Sequence, residues 1–314
     1  MKFNWFIFIS TAVLTFIPAL ARPILPIPKP LPLQFRVTKL PPLRAAYLFR
    51  IQEEGARLQS ESLGSYTRGC LAGAHRLEDN GPAWQAMRLS RNRHWAHPIT
   101  IELIKKLATK SKEKDGWNGL LVGDLSMPRG GPMWPSHRSH QIGLDADVWL
   151  TPMPERRYSQ REQENVSAKL MLTDDHLSVD YNFWTDAHYR LIKRAASFRE
   201  VQRVFVHPAI KKELCESSEK DRTWLSKVRP VRGHNYHFHI RLRCPPGSGK
   251  CIPQREPKVN DGCGVELDNW YKWLHARLKQ KYKNPENYKP SKSRYSWLTL
   301  DDMPFGCQAV LSSP

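Results

Sequence analysis

The sequence predicts an α+β fold, and three observations carry that reading. Two short segments, 144–150 and 236–242, alternate in character from one residue to the next, the pattern of a strand. A segment opening at Pro98 spaces Ile99, Ile101, Leu103, Ile104 and Leu107 as an amphipathic helix does. Strand-like and helix-like segments then follow one another without the strict alternation of a parallel βαβ chain.

Along the chain, Met1-Lys2-Phe3-Asn4-Trp5 precedes an apolar run from Phe6 to Leu20 that ends in Ala19-Leu20-Ala21. One lysine, an apolar core and a small-residue ending make residues 1–21 a secretory signal. The run is marginal for spanning a bilayer, and Arg22 and Pro23 are poor residues after a cleavage site, so an uncleaved anchor is the alternative. Either way the body of the protein is exported, which points to the periplasm, and no stable membrane insertion is expected once the signal is removed. Residues 22–68 form a Pro-rich leader, with Pro23, Pro26, Pro28, Pro30, Pro32, Pro41 and Pro42 favouring an extended spacer or lid.

From Gly69 the chain reads as globular, and residues 69–267 are the expected catalytic domain. Leu120 to Leu125 reads as a strand, and Met127 to Ser139 as a Pro- and Gly-rich loop delivering the chain to His140. Leu144, Ala146, Val148 and Leu150 alternate with Asp145, Asp147 and Trp149, a half-buried strand with its acids on one face. Thr185 caps a helix from Asp186 to Phe198, Val201 to Val206 is a strand, and Pro208 opens another helix where proline is tolerated. Tyr236 to Leu242 is the clearest strand: Tyr236, Phe238, Ile240 and Leu242 point one way, His237, His239 and Arg241 the other. Past Pro245 the chain is loop-like, then helical from Asp268 to Lys281, and residues 268–314 form a basic C-terminal extension.

The six cysteines, Cys70, Cys215, Cys244, Cys251, Cys263 and Cys307, all follow the signal. An even count in an exported chain reads as three disulfides, with the pairing open; no CxxC pair suggests a zinc ribbon. The formal net charge of +19 suggests an anionic partner. Export argues against nucleic acid and leaves cell wall and envelope lipid as the available polyanions.

Two clusters carry the chemistry. His137-Arg138-Ser139-His140-Gln141-Ile142-Gly143-Leu144-Asp145-Ala146-Asp147 and His234-Asn235-Tyr236-His237-Phe238-His239 hold five of the twelve histidines. Imidazole and carboxylate are the donors of a catalytic zinc site that keeps one position open for water. His237 and His239 project from one face of one strand, so one can bind a metal while its neighbour moves a proton. The turn at Gly143 can fold His140 toward the following strand, but Asp145 and Asp147 share a face, and spacing alone does not choose between them. The HExxH and GxSxG signatures are absent.

These clusters resemble the lysostaphin, D-Ala-D-Ala-peptidase and hedgehog metallopeptidase group, and within it the penicillin-insensitive murein endopeptidase family. Further matching stretches are Val122-Gly123-Asp124, Met127-Pro128, Val204-Phe205-Val206, Pro208-Ala209-Ile210-Lys211, Lys227-Val228-Arg229-Pro230, Arg241-Leu242-Arg243-Cys244-Pro245 and Asp261-Gly262-Cys263-Gly264. The resemblance implies a small antiparallel sheet carrying a zinc site, flanked by helices and disulfide-linked loops. It implies zinc ligands His140, Asp147 and His239, His237 as catalytic base and His234 as auxiliary. It also implies the pairing Cys70–Cys307, Cys215–Cys263 and Cys244–Cys251. A second zinc position would draw on His137 and Asp175, but the family's third ligand falls near Ser178, with His176 a substitute donor.

The implied function is hydrolysis of the D-alanyl–meso-diaminopimelyl cross-link of peptidoglycan, with Zn2+ as cofactor and peptide cross-bridges as the partner. A zinc D,D-carboxypeptidase is the nearest alternative, and a non-catalytic wall-binding protein the alternative from another class. Arg138, Arg232 and Arg241 lie near the motifs and are the candidate contacts for substrate carboxylates.

Overall fold

The structure, a computed structural model, describes residues 44–133, 137–283 and 298–314. The signal, residues 22–43 of the Pro-rich leader and residues 284–297 of the basic extension lie outside the described residues. A short helix α1 (Ala45–Arg50) leads to an antiparallel hairpin of β1 (Glu61–Ser65) and β2 (Arg68–Ala72). β3 (His75–Arg76) later pairs with β6 (Trp95–Ala96), and between them lie β4 (Asn80–Gly81) and β5 (Trp84–Ala86). Helix α2 (Pro98–Lys114) precedes β7 (Leu120–Val122) and β8 (Asp145–Trp149). Then come α3 (Gln160–Asn165), α4 (Asp186–Ser197), β9 (Val201–Val206), α5 (Pro208–Glu216), β10 (Val228–Pro230) and β11 (His237–Leu242). Helices α6 (Val265–Lys283) and α7 (Gly306–Ser312) close the chain. No helix among the described residues is long and apolar enough to cross a membrane.

The main sheet has seven strands in the order β10-β9-β11-β8-β7-β5-β4. Its four central strands are antiparallel, as expected, and the parallel pairings β9–β10 and β5–β7 extend it on either side. α2 and α5 each begin with His-Pro: proline sits where its missing N–H costs nothing, and the preceding imidazole accepts a backbone N–H. His97 Nδ1 takes Ile99 N (3.3 Å) and His207 Nδ1 takes Ala209 N (3.2 Å).

β8 and β11 are buried along their whole length, where the sequence suggested only a half-buried β8. One face supplies Ala146, Val148, Phe238 and Ile240 to a core shared with Ile104 and Leu107 of α2 and Leu191 and Ile192 of α4. The other face carries Asp145, Asp147, His237, His239 and Arg241, which stay buried because they pair with one another.

The three disulfides are Cys70–Cys307, Cys215–Cys263 and Cys244–Cys251. The first ties α7 to β2 and seals a second apolar cluster of Ala45, Phe49, Leu63, Met127, Met303 and Val310. Arg129 reinforces that tie, its Nη1 donating to the carbonyls of Val310 (2.9 Å), Leu311 (2.8 Å) and Ser313 (2.6 Å). Residue 69 falls within β2 and residue 268 within α6, so packed structure continues past both ends of the segment 69–267.

Candidate metal centre

β8 and β11 set the site. Their antiparallel register places His239 opposite Asp147, His237 opposite Trp149 and Arg241 opposite Asp145. His140 enters from the loop before β8 in a left-handed conformation (φ +66°), which a non-glycine residue holds only when its surroundings fix it. They do so: its N–H donates to Asp145 Oδ2 (2.9 Å) and its carbonyl accepts from Ser126 Oγ (2.8 Å). Gly143 (φ +71°) completes the turn where a Cβ would lie 2.7 Å from His97 N.

The two acids differ in their surroundings. Asp145 accepts from Arg241 Nε (2.7 Å), His239 Nε2 (2.8 Å) and the His140 N–H, so its oxygens are engaged. Asp147 Oδ1, by contrast, is buried with no hydrogen-bond partner and lies 3.1 Å from His239 Nδ1, 3.4 Å from His140 Nε2 and 3.7 Å from His237 Nε2.

Three of the neighbouring imidazoles, His140, His239 and His137, are anchored through the outer nitrogen. A carbonyl can only accept, so His140 Nδ1 carries its hydrogen toward Leu125 O (2.5 Å), and Nε2, buried without a partner, presents a lone pair inward. The same logic applies to His239, held by Asp145, and to His137, whose Nε2 donates to Asp124 Oδ2 (2.8 Å) while Nδ1 lies 3.8 Å from Asp147 Oδ2. Three lone pairs thus converge on one carboxylate, with partners behind them that fix tautomer and orientation. Donor atoms of His137, His140 and Asp147 all lie within 4.8 Å of one another.

Electrostatics match. Burial disfavours the charge on Asp147, but the histidines around it, His140 and His237 foremost, hold its carboxyl well below the usual range. Burial opposes protonation of His239 as well, but Asp145 and Asp147 raise it above its ordinary value. Burial lowers His237 despite Asp147, and pushes His234 down to about 3. The His234 ring stands 4.9 Å from that of His237 and 5.9 Å from that of His239.

His137, His140, Asp147, His237, His239 and His234 are therefore brought together. Asp175 is not: its exposed carboxylate accepts from Thr173 Oγ1 (2.7 Å) and Leu177 N (2.9 Å). His176 faces His207, with ring centroids 6.4 Å apart. Arg241 serves Asp145, while Arg138 and Arg232 are exposed. Asp124 had no role assigned from the sequence. It is buried and receives Arg93 (2.9 Å) and Arg91 (3.3 Å) besides His137; its place two residues after the apolar run Leu120-Leu121-Val122 was the available signal.

Fold and site together define an α+β protein with a histidine–carboxylate centre whose donor set fits one divalent cation. The family model described as penicillin-insensitive murein endopeptidase matches residues 62–312, and the chain belongs to that family. It is 40% identical over 258 residues to a penicillin-insensitive murein endopeptidase of Haemophilus influenzae, covering 82% of this chain and 84% of that protein. Proteins of the same name from Pectobacterium atrosepticum (39% over 251 residues, 80% and 84% covered) and Yersinia enterocolitica (41% over 211 residues, 67% and 76% covered) are similar.

Proposed function

We propose that the protein is a zinc-dependent murein endopeptidase that hydrolyses the D-alanyl–meso-diaminopimelyl cross-link of peptidoglycan in the periplasm, exported by residues 1–21. The observation that carries this reading is the convergence of anchored imidazole lone pairs on the Asp147 carboxylate, where Asp147 Oδ1 and His140 Nε2 are both buried without hydrogen-bond partners. Such orphaned polar atoms are costly unless a cation satisfies them. All six cysteines are in disulfides, so nitrogen and oxygen donors alone are on offer, a set that suits zinc.

His140, Asp147 and His239 would hold the ion, with His137 beside them; a second ion on His137 and Asp175 forms no part of the proposal. When bound, zinc supplies a Lewis acid that polarises the scissile carbonyl and makes water a nucleophile at neutral pH. His237 acts from the same strand face as His239. Its Nε2 accepts the proton of the attacking water and returns it to the departing amine. His234 is the auxiliary that lines His237 on its other side. Asp145, Leu125 and Asp124 keep the rings in register with the reacting atoms.

Digestion of purified cross-linked muropeptide dimers, with metal analysis of the same sample, tests the reading. One zinc per chain is expected, together with conversion of dimers to monomers that a chelator stops and zinc restores. Release of terminal D-alanine from monomers with no attack on dimers would favour the carboxypeptidase instead, and a metal-free, inert protein would leave only a wall-binding role.

A further inference from the structure

A pocket of about 250 Å³ opens beside the metal centre and is not used by the steps above. Its lining includes Gly123, Trp149, Tyr236, Arg88, Arg91 and Asp124. It adjoins the reacting groups on three sides: Asp124 holds His137 (2.8 Å), the Tyr236 ring stands 4.4 Å from that of His237, and Gly123 N–H donates to Asp147 O (2.8 Å). A side chain at Gly123 would crowd this lining, since a Cβ there would come 3.1 Å from Trp149 Nε1.

The chain bends to place cations there. Arg88 (φ +66°) and Asn92 (φ +49°) hold left-handed conformations on either side of the short turn Leu89–Arg91, so two arginines three residues apart face one pocket. Arg88 lies over the Trp149 ring at 5.6 Å and donates to Glu164 O. Arg91 reaches Asp124 only at 3.3 and 3.4 Å, because Arg93 and His137 hold Oδ2 more closely at 2.9 and 2.8 Å. Its side chain is 45% exposed and its fork retains donors for a further acceptor. Arg93 and His137 already pair with Asp124, so the carboxylate of the pocket lining is engaged without Arg91.

We propose that this pocket is a carboxylate-binding subsite in which Arg88 and Arg91 receive the free carboxylate on the residue that supplies the scissile amide nitrogen. The inference rests on the peptidase reading. In that substrate the departing amine and a free carboxylate share one carbon, so a peptide with its scissile carbonyl at the metal centre carries an anion within one residue of it. A guanidinium fork matches a carboxylate in shape and charge, and the indole and phenol rings pack the aliphatic stem behind it.

The test compares two cross-linked peptides identical except that this carboxylate is free in one and a carboxamide in the other. Wild-type protein is expected to prefer the free acid by about tenfold or more in kcat/KM, carried by KM, the scale of a charge-assisted hydrogen bond. Arg88→Gln and Arg91→Gln should each reduce that ratio to within about threefold, with Arg91→Lys, which keeps charge but loses the fork, in between. Because the ratio is taken within each variant, a general loss of active protein does not alter it. Equal turnover of the two peptides by wild type, or an unchanged ratio in both glutamine variants, overturns the subsite. Calorimetry on the chelated protein separates the two readings. Arginine-dependent binding of the acid without any cleavage by the zinc-loaded enzyme would keep the anion site and remove the peptidase, and cleavage without preference would do the reverse.

Discussion

Asp145 is the side chain on which the others turn, for it ties His239 Nε2, Arg241 and the His140 backbone to one carboxylate. Asp145→Asn cannot accept at both oxygens, so His239 loses its fixed orientation; zinc affinity is expected to fall roughly 10- to 100-fold in a competitive chelator titration. His237→Ala separates holding from reacting. It should retain zinc while hydrolysis drops by about 10² to 10⁴, and full activity in that variant would remove the base assignment. Much of this was legible in the sequence, because His237 and His239 lie two apart on an obvious strand and His140 and Asp147 flank a glycine turn. The choice between Asp145 and Asp147 was not, since both share one face; Arg241 and His239 occupy Asp145 in three dimensions, which supports Asp147 as the proposed ligand. Asp124 was hidden for a similar reason: the loop between it and His137 brings the two together, and no spacing rule records that.

At the scale of the element, the His-Pro starts of α2 and α5 make helix integrity depend on pH. Burial holds His97 and His207 down to about 4, with repulsion from His75 and His176 adding to it, while a backbone bond at Ser60 opposes it for His97. The unfolded chain takes up these protons nearer its ordinary value of about 6.5. The stability contributed by the neutral rings is therefore complete above that value and is lost as pH falls through about 4. Protonation also removes each acceptor, at about 1 kcal/mol per cap. The double variant His97→Asn with His207→Asn keeps cap acceptors that do not titrate, and should show a shallower acid limb in denaturant titrations between those two pH values. The proline starts were read correctly from sequence, but the imidazole caps were not, because histidine is an uncommon residue there. The burial of both faces of β8 escaped notice because polar residues suggest solvent until their partners are known.

Across the whole molecule, the covalent frame matches the pairing that the family resemblance implied, and Cys70–Cys307 spans 237 residues of sequence. A closure of that length restricts the unfolded chain strongly. Cys307→Ser is expected to lower unfolding free energy by roughly 2–5 kcal/mol, measured by denaturant titration. The α+β class and the order of the main elements could be read from periodicity. The packing of the end of the chain beneath α1 and β2 could not, since Met303, Cys307 and Val310 form no pattern pointing to Phe49 and Leu63.

Arg129 belongs to the same stretch that runs on to His137 and His140, and it grips the carbonyls of Val310, Leu311 and Ser313. Carbonyls 181 to 184 residues away in sequence thus prop the stretch that carries His137 and His140. Loosening that clasp would loosen the proposed donor loop with it, so Arg129→Ala is expected to weaken zinc retention in a chelator titration as well as resistance to denaturant.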